Sequence, residues 1–390
     1  MNKFINSLDI SIEDPYYGGE ILPDYIPYTD EATKFWNNPT CCIIPFELNL
    51  YRYKSDNDVG YTFSTKPCAC YNVLSDEYKI KSTDITDIIK SEKLKDIKEK
   101  IIKGDYSLCE KCPQYKSNRD NLTTFHTGYS LYNEYGYYGR KIYEGYLNKQ
   151  YNSVMDNPLI LNLSLDSKCN LLCPTCRDID YDSYINQLTD KDFNDIIELI
   201  KKSYIISVGC DGETFLNKSY MDILKQDLFE VGSKLNKIII YTNGVLANNI
   251  NFSKIHPNNI QHIKEIKISV DAATENTYNV VRPGGRWNTL LKNVNYLALH
   301  PQRTWDLHST FTISKYNYKD IPDFIDFSFD LGFNSVLFSF ARPLFHKDYT
   351  NSEYKSDFII EGKHKEDITS YIKNIIEKYN GKDGRFVGIV

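Results

Sequence analysis

The second half of the chain alternates short apolar strands with amphipathic helices, and this alternation constrains the fold more than any other feature of the sequence. Six apolar segments have the length and composition of strands: Leu159–Leu165, Tyr204–Val208, Lys237–Thr242, Ile263–Val270, Leu307–Ile313 and Ser335–Phe340. Helices with one apolar face are predicted at Lys191–Lys202, Met221–Leu235, Thr274–Val281, Trp287–Leu299, Ile321–Leu331 and Ile368–Tyr379. Such alternation predicts an α/β fold with a parallel sheet, and six units predict a partial (β/α)6 barrel.

Three cysteines follow the first of these strands on one short loop. Cys169, Cys173 and Cys176 have the spacing C-x3-C-x2-C just beyond the carboxyl end of the strand, where catalytic groups collect in α/β folds. Structural zinc takes four ligands, usually from close cysteine pairs that a longer span separates, so zinc explains this spacing poorly. An iron–sulfur cluster with four irons and three protein thiolates has one iron left for a substrate.

With Asn170 and Pro174 inside it, this loop resembles the cluster loop of the radical S-adenosylmethionine (SAM) enzymes. One difference is Thr175, which stands where that family often has an aromatic residue. The resemblance implies that the three cysteines bind a [4Fe–4S] cluster and that SAM chelates its fourth iron. It also implies reductive cleavage of SAM to methionine and a 5′-deoxyadenosyl radical, which abstracts a hydrogen atom from a substrate.

Polar residues at the ends of the later strands match further motifs of this family. The resemblance implies that SAM is bound by Gly212, Glu213, Asn243, Ser269, Asp271 and Arg282. Glu213 is expected at the amino group of SAM, Ser269 and Asp271 at the ribose hydroxyls, and Arg282 at the carboxylate. Thr214 stands where the family usually has proline. Each residue alone also has an ordinary structural explanation, such as a turn or a helix end, so the match depends on their order.

Six further cysteines occur in pairs in the amino-terminal third: Cys41 and Cys42, Cys68 and Cys70, and Cys109 and Cys112. A β-hairpin is predicted between the first two pairs, from Pro45–Tyr53 and residues 61–65 around a polar turn that contains Gly60. An amphipathic helix is predicted from Ser82 to Gly104. Spacing alone leaves zinc and iron–sulfur equally open for these cysteines.

The order of these elements is similar to the auxiliary-cluster domains, of SPASM or Twitch type, that accompany many radical SAM enzymes, although here they precede the core. The resemblance implies one auxiliary [4Fe–4S] cluster bound by Cys42, Cys68, Cys109 and Cys112, with Cys41 and Cys70 as alternates. The predicted domains are a lead-in at 1–40, this auxiliary domain at 41–113, a tyrosine-rich connector at 114–157, the radical SAM core at 158–345 and a helical tail at 346–390.

Composition limits the partners that we expect. The net charge of −6 argues against a nucleic-acid surface based on bulk charge. No signal-peptide hydrophobic segment and no apolar run of membrane-spanning length is present in the sequence, so we expect a cytoplasmic protein without membrane attachment. In that reducing compartment, ten cysteines favour metal binding or catalysis over disulfides.

Three functions are compatible with these features. The leading hypothesis is a radical SAM enzyme that acts on a peptide or protein by oxidation, cross-linking or epimerisation, with a flavodoxin or ferredoxin as electron donor. The alternative is dehydrogenation or epimerisation of a sugar or another small metabolite, and the third is a non-catalytic zinc-binding scaffold. Cys210, which lies outside both predicted clusters, is either a hydrogen-atom donor for epimerisation or a small apolar residue.

Overall fold

The computed structural model describes residues 41–42, 47–54, 61–65, 80–102, 105, 107, 125–126, 157–176, 188–341, 358–379 and 386–389. The strands in these ranges are β1 (Cys41–Cys42), β2 (Glu47–Lys54), β3 (Tyr61–Thr65), β4 (Ile80–Ser82), β5 (Phe125–His126), β6 (Ile160–Ser164), β7 (Ile205–Val208), β8 (Lys237–Thr242), β9 (Ile263–Ser269), β10 (Asp306–Ile313), β11 (Ser335–Phe340) and β12 (Phe386–Ile389). The α-helices are α1 (Ile85–Ile89), α2 (Glu92–Ile102), α3 (Asp190–Lys202), α4 (Lys218–Leu224), α5 (Asn249–Phe252), α6 (Pro257–His262), α7 (Glu275–Val281), α8 (Trp287–Ala298), α9 (Ile321–Asp330) and α10 (Gly362–Tyr379).

The main sheet has the strand order β12-β11-β10-β9-β8-β7-β6-β2-β3-β4. Every neighbouring pair from β12 to β2 is parallel, and β2–β3 and β3–β4 are antiparallel. All six predicted core strands are present as β6 to β11, so the predicted parallel α/β fold is confirmed. The predicted hairpin is present as β2 and β3.

The parallel part of the sheet is longer than the six predicted strands. At one end β2 pairs with β6, and the side-chain amide of Asn162 donates to Asn49 across this pair at 2.9 Å. At the other end β12 pairs with β11. Leu48 and Leu50 of β2 therefore belong to the same hydrophobic core as the later strands. The strand β1 pairs separately with β5.

The two faces of the parallel sheet have different chemistry. In β9 the buried Ile266 and Ile268 alternate with the partly exposed Glu265 and Lys267, as period-2 burial requires. One face therefore packs under the helices in the core. The other, which we call the polar face, consists of Tyr241 of β8, Glu265, Lys267 and Ser269 of β9, and His308 and Thr310 of β10.

The helix predicted from Ser82 to Gly104 is wrong as a single element, because the structure has two helices there. The first, α1, begins after Asp84, whose carboxylate accepts from the backbone N–H of Thr86 at 2.8 Å. It ends at Ile89, and the Ser91 hydroxyl then accepts from the backbone N–H of Leu94, which is the contact that starts a new helix. Apolar periodicity continues across such a break, so the pattern did not reveal it.

The helix predicted at Met221–Leu235 ends much earlier, at Leu224. The Asn259 amide nitrogen donates to the carbonyls of Leu224 and Gln226 at 2.8 and 2.7 Å, and its oxygen accepts from Leu228 N–H at 3.2 Å. A side chain distant in sequence therefore replaces the helical hydrogen bonds at this point. Of the helices in the described ranges, none combines the length and apolar character that a bilayer crossing needs.

Candidate active site

The cysteine loop, which we define as residues 166–176, leaves the carboxyl end of β6 and has one covered and one open cysteine. Cys173 is 5% exposed and packs with Leu171 and Val245, whereas Cys176 is exposed and Cys169 is intermediate. The backbone N–H of Leu172 donates to Pro283 O at 2.9 Å, which ties the loop to the segment after α7. The structure thus places all three predicted thiols at the carboxyl end of the parallel sheet.

Two side chains that the sequence singled out donate hydrogen bonds to these sulfurs. The Asn243 amide nitrogen lies 3.5 Å from Cys169 Sγ, and an Arg282 guanidinium nitrogen lies 3.4 Å from Cys173 Sγ. Burial raises the pKa of Cys173 to about 11, and the Arg282 charge opposes this rise. Since N–H donors and a cation stabilise sulfur in its anionic form, the surroundings suit a thiolate ligand.

Arg282 also forms a buried ion pair with Asp271. The two side chains are 2.5 Å apart, and Asp271 is 2% exposed with its other oxygen accepting from Thr312 N–H at 2.7 Å. Burial raises the pKa of Asp271, and the arginine opposes that effect. The Nε of Arg282 is buried and has no hydrogen-bond partner among the described residues, so one donor of the guanidinium is still available to a ligand.

Glu213 connects the ends of β7 and β8. Its fully buried carboxylate accepts from the Thr242 hydroxyl at 2.7 Å and from the backbone N–H groups of Asn243 and Phe215 at 2.7 and 3.1 Å. Desolvation raises the pKa of Glu213, and these hydrogen bonds oppose the rise. The carboxylate is thus occupied by the protein itself and holds Asn243 in place, and its predicted contact with SAM stays a prediction.

Gly212 allows the Gly-Glu turn to lie directly against the cysteine loop. Its φ is +75°, and a Cβ at this position would lie 2.4 Å from Asp166 O and 2.8 Å from Lys168 O. The next residue donates its backbone N–H to Lys168 O at 2.9 Å. A side chain would therefore both strain the backbone and separate the two loops.

We expect Gly212→Ala to destabilise the protein by more than the cost of a left-handed alanine alone, which is about 1–2 kcal/mol. Gly232→Ala is a matched control, because Gly232 has φ +95° but a Cβ added there would meet no atom within 4 Å. The measurement is the free energy of unfolding in denaturant for both variants. An equal loss in the two variants would mean that the close approach to the cysteine loop is not required for stability.

Two residues that hold the cysteine loop were not anticipated from the sequence. The buried Tyr220 hydroxyl accepts from Leu165 N–H at 2.8 Å and donates to Asp211 O at 3.1 Å. The Asn217 amide donates to Lys168 O at 2.9 Å. Both stand at the start of α4, and nothing in their type or spacing distinguishes them from ordinary helix residues. Only the fold shows that they face the loop.

Cys210 lies where the polar face meets the end of β7. Its side chain is exposed, yet desolvation by the surrounding protein raises the pKa of the thiol to about 12, with the charge of Lys267 opposing this effect. Lys267 in turn pairs with Glu265 at 3.1 Å and lies 5.3 Å from the Tyr241 ring centroid. The thiol therefore stays protonated at neutral pH, beside charged groups.

For the remaining predicted site residues, the structure gives one contact, the backbone alone or no description. Ser269 accepts a hydrogen bond from the Thr310 hydroxyl at 3.1 Å within the polar face. The backbone of Cys41 and Cys42 forms β1, whereas Cys68, Cys70, Cys109 and Cys112 lie outside the described residues. The auxiliary cluster thus stays a prediction. Within the described ranges, no group of three or more His, Cys, Asp and Glu side chains is arranged to hold a metal ion.

The chain has a parallel α/β sheet with a three-cysteine loop at the carboxyl end of its first core strand, and this arrangement is a candidate cofactor-binding site. In a comparison with curated proteins, the chain is 22% identical over 201 residues to the GTP 3′,8-cyclases of two strains of Clostridium perfringens, SM101 and 13. The match covers 50% of this chain and 59% of each relative, so the chain spans less than two thirds of their length. No model of a known protein family matches the chain.

Solved structures with a partly similar backbone include Streptococcus suis SuiB bound to its precursor peptide SuiA, with 14% identity, 87% of this chain and 71% of that chain covered, and a TM-score of 0.42. They also include anSMEcpe with bound AdoMet, which is 15% identical to this chain. That match covers 59% of this chain and 62% of anSMEcpe, with a TM-score of 0.43. The chain is thus similar over half of its length to these cyclases, and its cysteine loop resembles the cluster loop of the radical SAM enzymes.

Proposed function

We propose that the protein is a radical SAM enzyme that removes a hydrogen atom from its substrate, in the first instance a peptide or protein. The observation that supports this most strongly is the pair of hydrogen bonds to the loop sulfurs, from Asn243 to Cys169 and from Arg282 to Cys173. A reduced [4Fe–4S] cluster with SAM would supply one electron for reductive cleavage of the S–C5′ bond and so provide the hydrogen-abstracting radical.

The residues of this chain then have separate roles. The three loop cysteines would hold the cluster, although in the described structure their side chains are not gathered into a metal site. Leu171 and Val245 pack against Cys173 and cover its sulfur. Glu213 fixes the backbone of Asn243, while Asp271 orients Arg282. The unpartnered Nε of Arg282 is a suitable donor for the SAM carboxylate. Gly212, Ser269 and Asp271 stay proposed contacts for the rest of SAM.

Anaerobic reconstitution with iron and sulfide tests the proposal. We expect broad absorbance near about 400 nm and, with SAM and a strong reductant, formation of methionine and 5′-deoxyadenosine. Iron for two clusters per chain would additionally support the auxiliary cluster proposed at Cys42, Cys68, Cys109 and Cys112. Zinc without iron would contradict the enzyme assignment and favour the scaffold.

A small-metabolite substrate is the second candidate, and the names of the curated relatives favour it, because they are cyclases of GTP. The peptide assignment follows from the similarity of the amino-terminal cysteine pattern to auxiliary-cluster domains. Stimulation of 5′-deoxyadenosine formation distinguishes the two. Peptides that increase the rate above that without substrate support the first candidate, and nucleotides or sugars that do so support the second.

If the outcome is epimerisation, we expect Cys210→Ala to abolish deuterium uptake into the substrate in heavy water while 5′-deoxyadenosine still forms. Cys210→Ser is the matched variant, because its stronger O–H bond does not release a hydrogen atom to a carbon radical. A thiol whose pKa is raised to about 12 keeps its proton below that pH. Deuterium uptake in the wild type is therefore expected to be constant between about pH 7 and 9. Unchanged uptake in Cys210→Ala would remove this residue from the mechanism.

A further inference from the structure

A cavity of about 760 Å³ lies between α1, α2 and α3, away from the cysteine loop. Asn157, which precedes β6, and Lys202, which ends α3, both line it. These residues mark the amino ends of β6 and β7, whereas the cysteine loop follows the carboxyl end of β6. The cavity and the candidate active site therefore lie at opposite edges of the parallel sheet.

Lys98 of α2 lines this cavity and is 5% exposed. Within the described part of the chain it forms no hydrogen bond and no ion pair, and Glu47 acts on it only through longer-range attraction. Burial lowers the pKa of Lys98 to about 8. An ammonium that is largely desolvated and has no ion-pair partner is costly, and an anion in the cavity would offset that cost.

The other charges of the cavity wall leave it positive. Each of its three carboxylates already has a lysine partner: Asp195 with Lys191 at 2.8 Å, Glu198 with Lys201 at 3.5 Å, and Glu92 with Lys95 at 3.9 Å. Three lysines of the wall, Lys90, Lys98 and Lys202, have no ion pair with any described residue. An occupant with several anionic oxygens would match this excess of ammonium groups.

We propose that this cavity is a second ligand site, which binds a small polyanion through Lys98 with Lys90 and Lys202 nearby. Its volume falls within the range of about 300–1,000 Å³ that small-molecule sites have. Phosphate groups and several carboxylates share the required chemistry. The proposal does not depend on the function assigned above, because the site lies at the other edge of the sheet.

Reductive labelling of the full chain with pyridoxal 5′-phosphate tests the site near neutral pH. Its aldehyde condenses with a neutral amine and releases water, and borohydride reduces the imine to a stable secondary amine. We expect Lys98 to be labelled at least about tenfold faster than the exposed Lys363, because its lowered pKa leaves more neutral amine. Pyrophosphate or citrate is expected to protect Lys98 and not Lys363, and the more effective anion identifies phosphate or carboxylate as the ligand group.

A second measurement uses thermal unfolding with and without these anions. We expect pyrophosphate or citrate to raise the Tm of the wild type and of Lys363→Met, and to leave the Tm of Lys98→Met unchanged. An equal rise in all three proteins, or labelling of Lys98 that neither anion reduces, would overturn the proposal. The labelling experiment on the wild type stands even if Lys98→Met does not fold.

Discussion

Simultaneous replacement of Cys169, Cys173 and Cys176 by alanine is expected to abolish the formation of 5′-deoxyadenosine from SAM. The three thiols lie on one loop at the carboxyl end of β6, and Cys210 is the one other cysteine whose side chain the structure describes. Without them the cluster has no protein ligands there, and the protein cannot deliver an electron to SAM. The measurements are iron per chain, absorbance near about 400 nm and 5′-deoxyadenosine after reduction.

A control for the loop itself is Leu172→Ala, since Leu172 is 73% exposed between the same cysteines. This variant is expected to retain both iron and product formation, because the Leu172 side chain is mostly exposed to solvent. If the triple variant formed 5′-deoxyadenosine at the wild-type rate, the assignment of the loop and with it the proposed reaction would be wrong. A triple variant that loses iron on the loop but retains a second cluster would also separate the two proposed clusters.

The parts of the fold that sequence reasoning predicted well are those set by local periodicity. All six core strands were located because alternating apolar residues such as Ile266 and Ile268 must face the helices. The features that the sequence did not predict depend on tertiary contacts. The early end of α4 depends on Asn259, which is more than thirty residues away in sequence, and β2 joins β6 through backbone pairing that no local pattern encodes.

For the candidate site, the sequence indicated which residues lie near the cysteine loop, whereas their roles toward a cofactor stay predictions. Motif order brought together Glu213, Asn243, Asp271 and Arg282, and the structure places these four around the cysteine loop. Their partners within the protein could not be inferred. That Asp271 pairs with Arg282, or that Glu213 is satisfied by Thr242, depends on distances across neighbouring strands.

The ion pair between Arg282 and Asp271 leads to the second large effect that we expect. Arg282→Met leaves the carboxylate of Asp271, which is 2% exposed, without its positive partner. Removal of one partner of a buried ion pair costs about 3–5 kcal/mol of unfolding free energy. The measurement is denaturant unfolding of the cluster-free protein, so that loss of the cofactor does not contribute.

The pH dependence of this loss distinguishes an uncompensated charge from a packing defect. Burial already raises the pKa of Asp271 in the folded protein, and without Arg282 the pKa rises further. A raised pKa in the folded state means that the ionised carboxylate is the destabilising form, so the penalty is full above that pKa, shrinks as pH falls below it and is gone below the pKa of the unfolded chain. The difference in unfolding free energy between wild type and Arg282→Met is therefore expected to shrink on acidification.

Adding Asp271→Asn to the variant should restore much of the stability at neutral pH, because both charges are then absent. A difference that is independent of pH and persists in the double variant would show that Arg282 stabilises the site by packing and not by its charge.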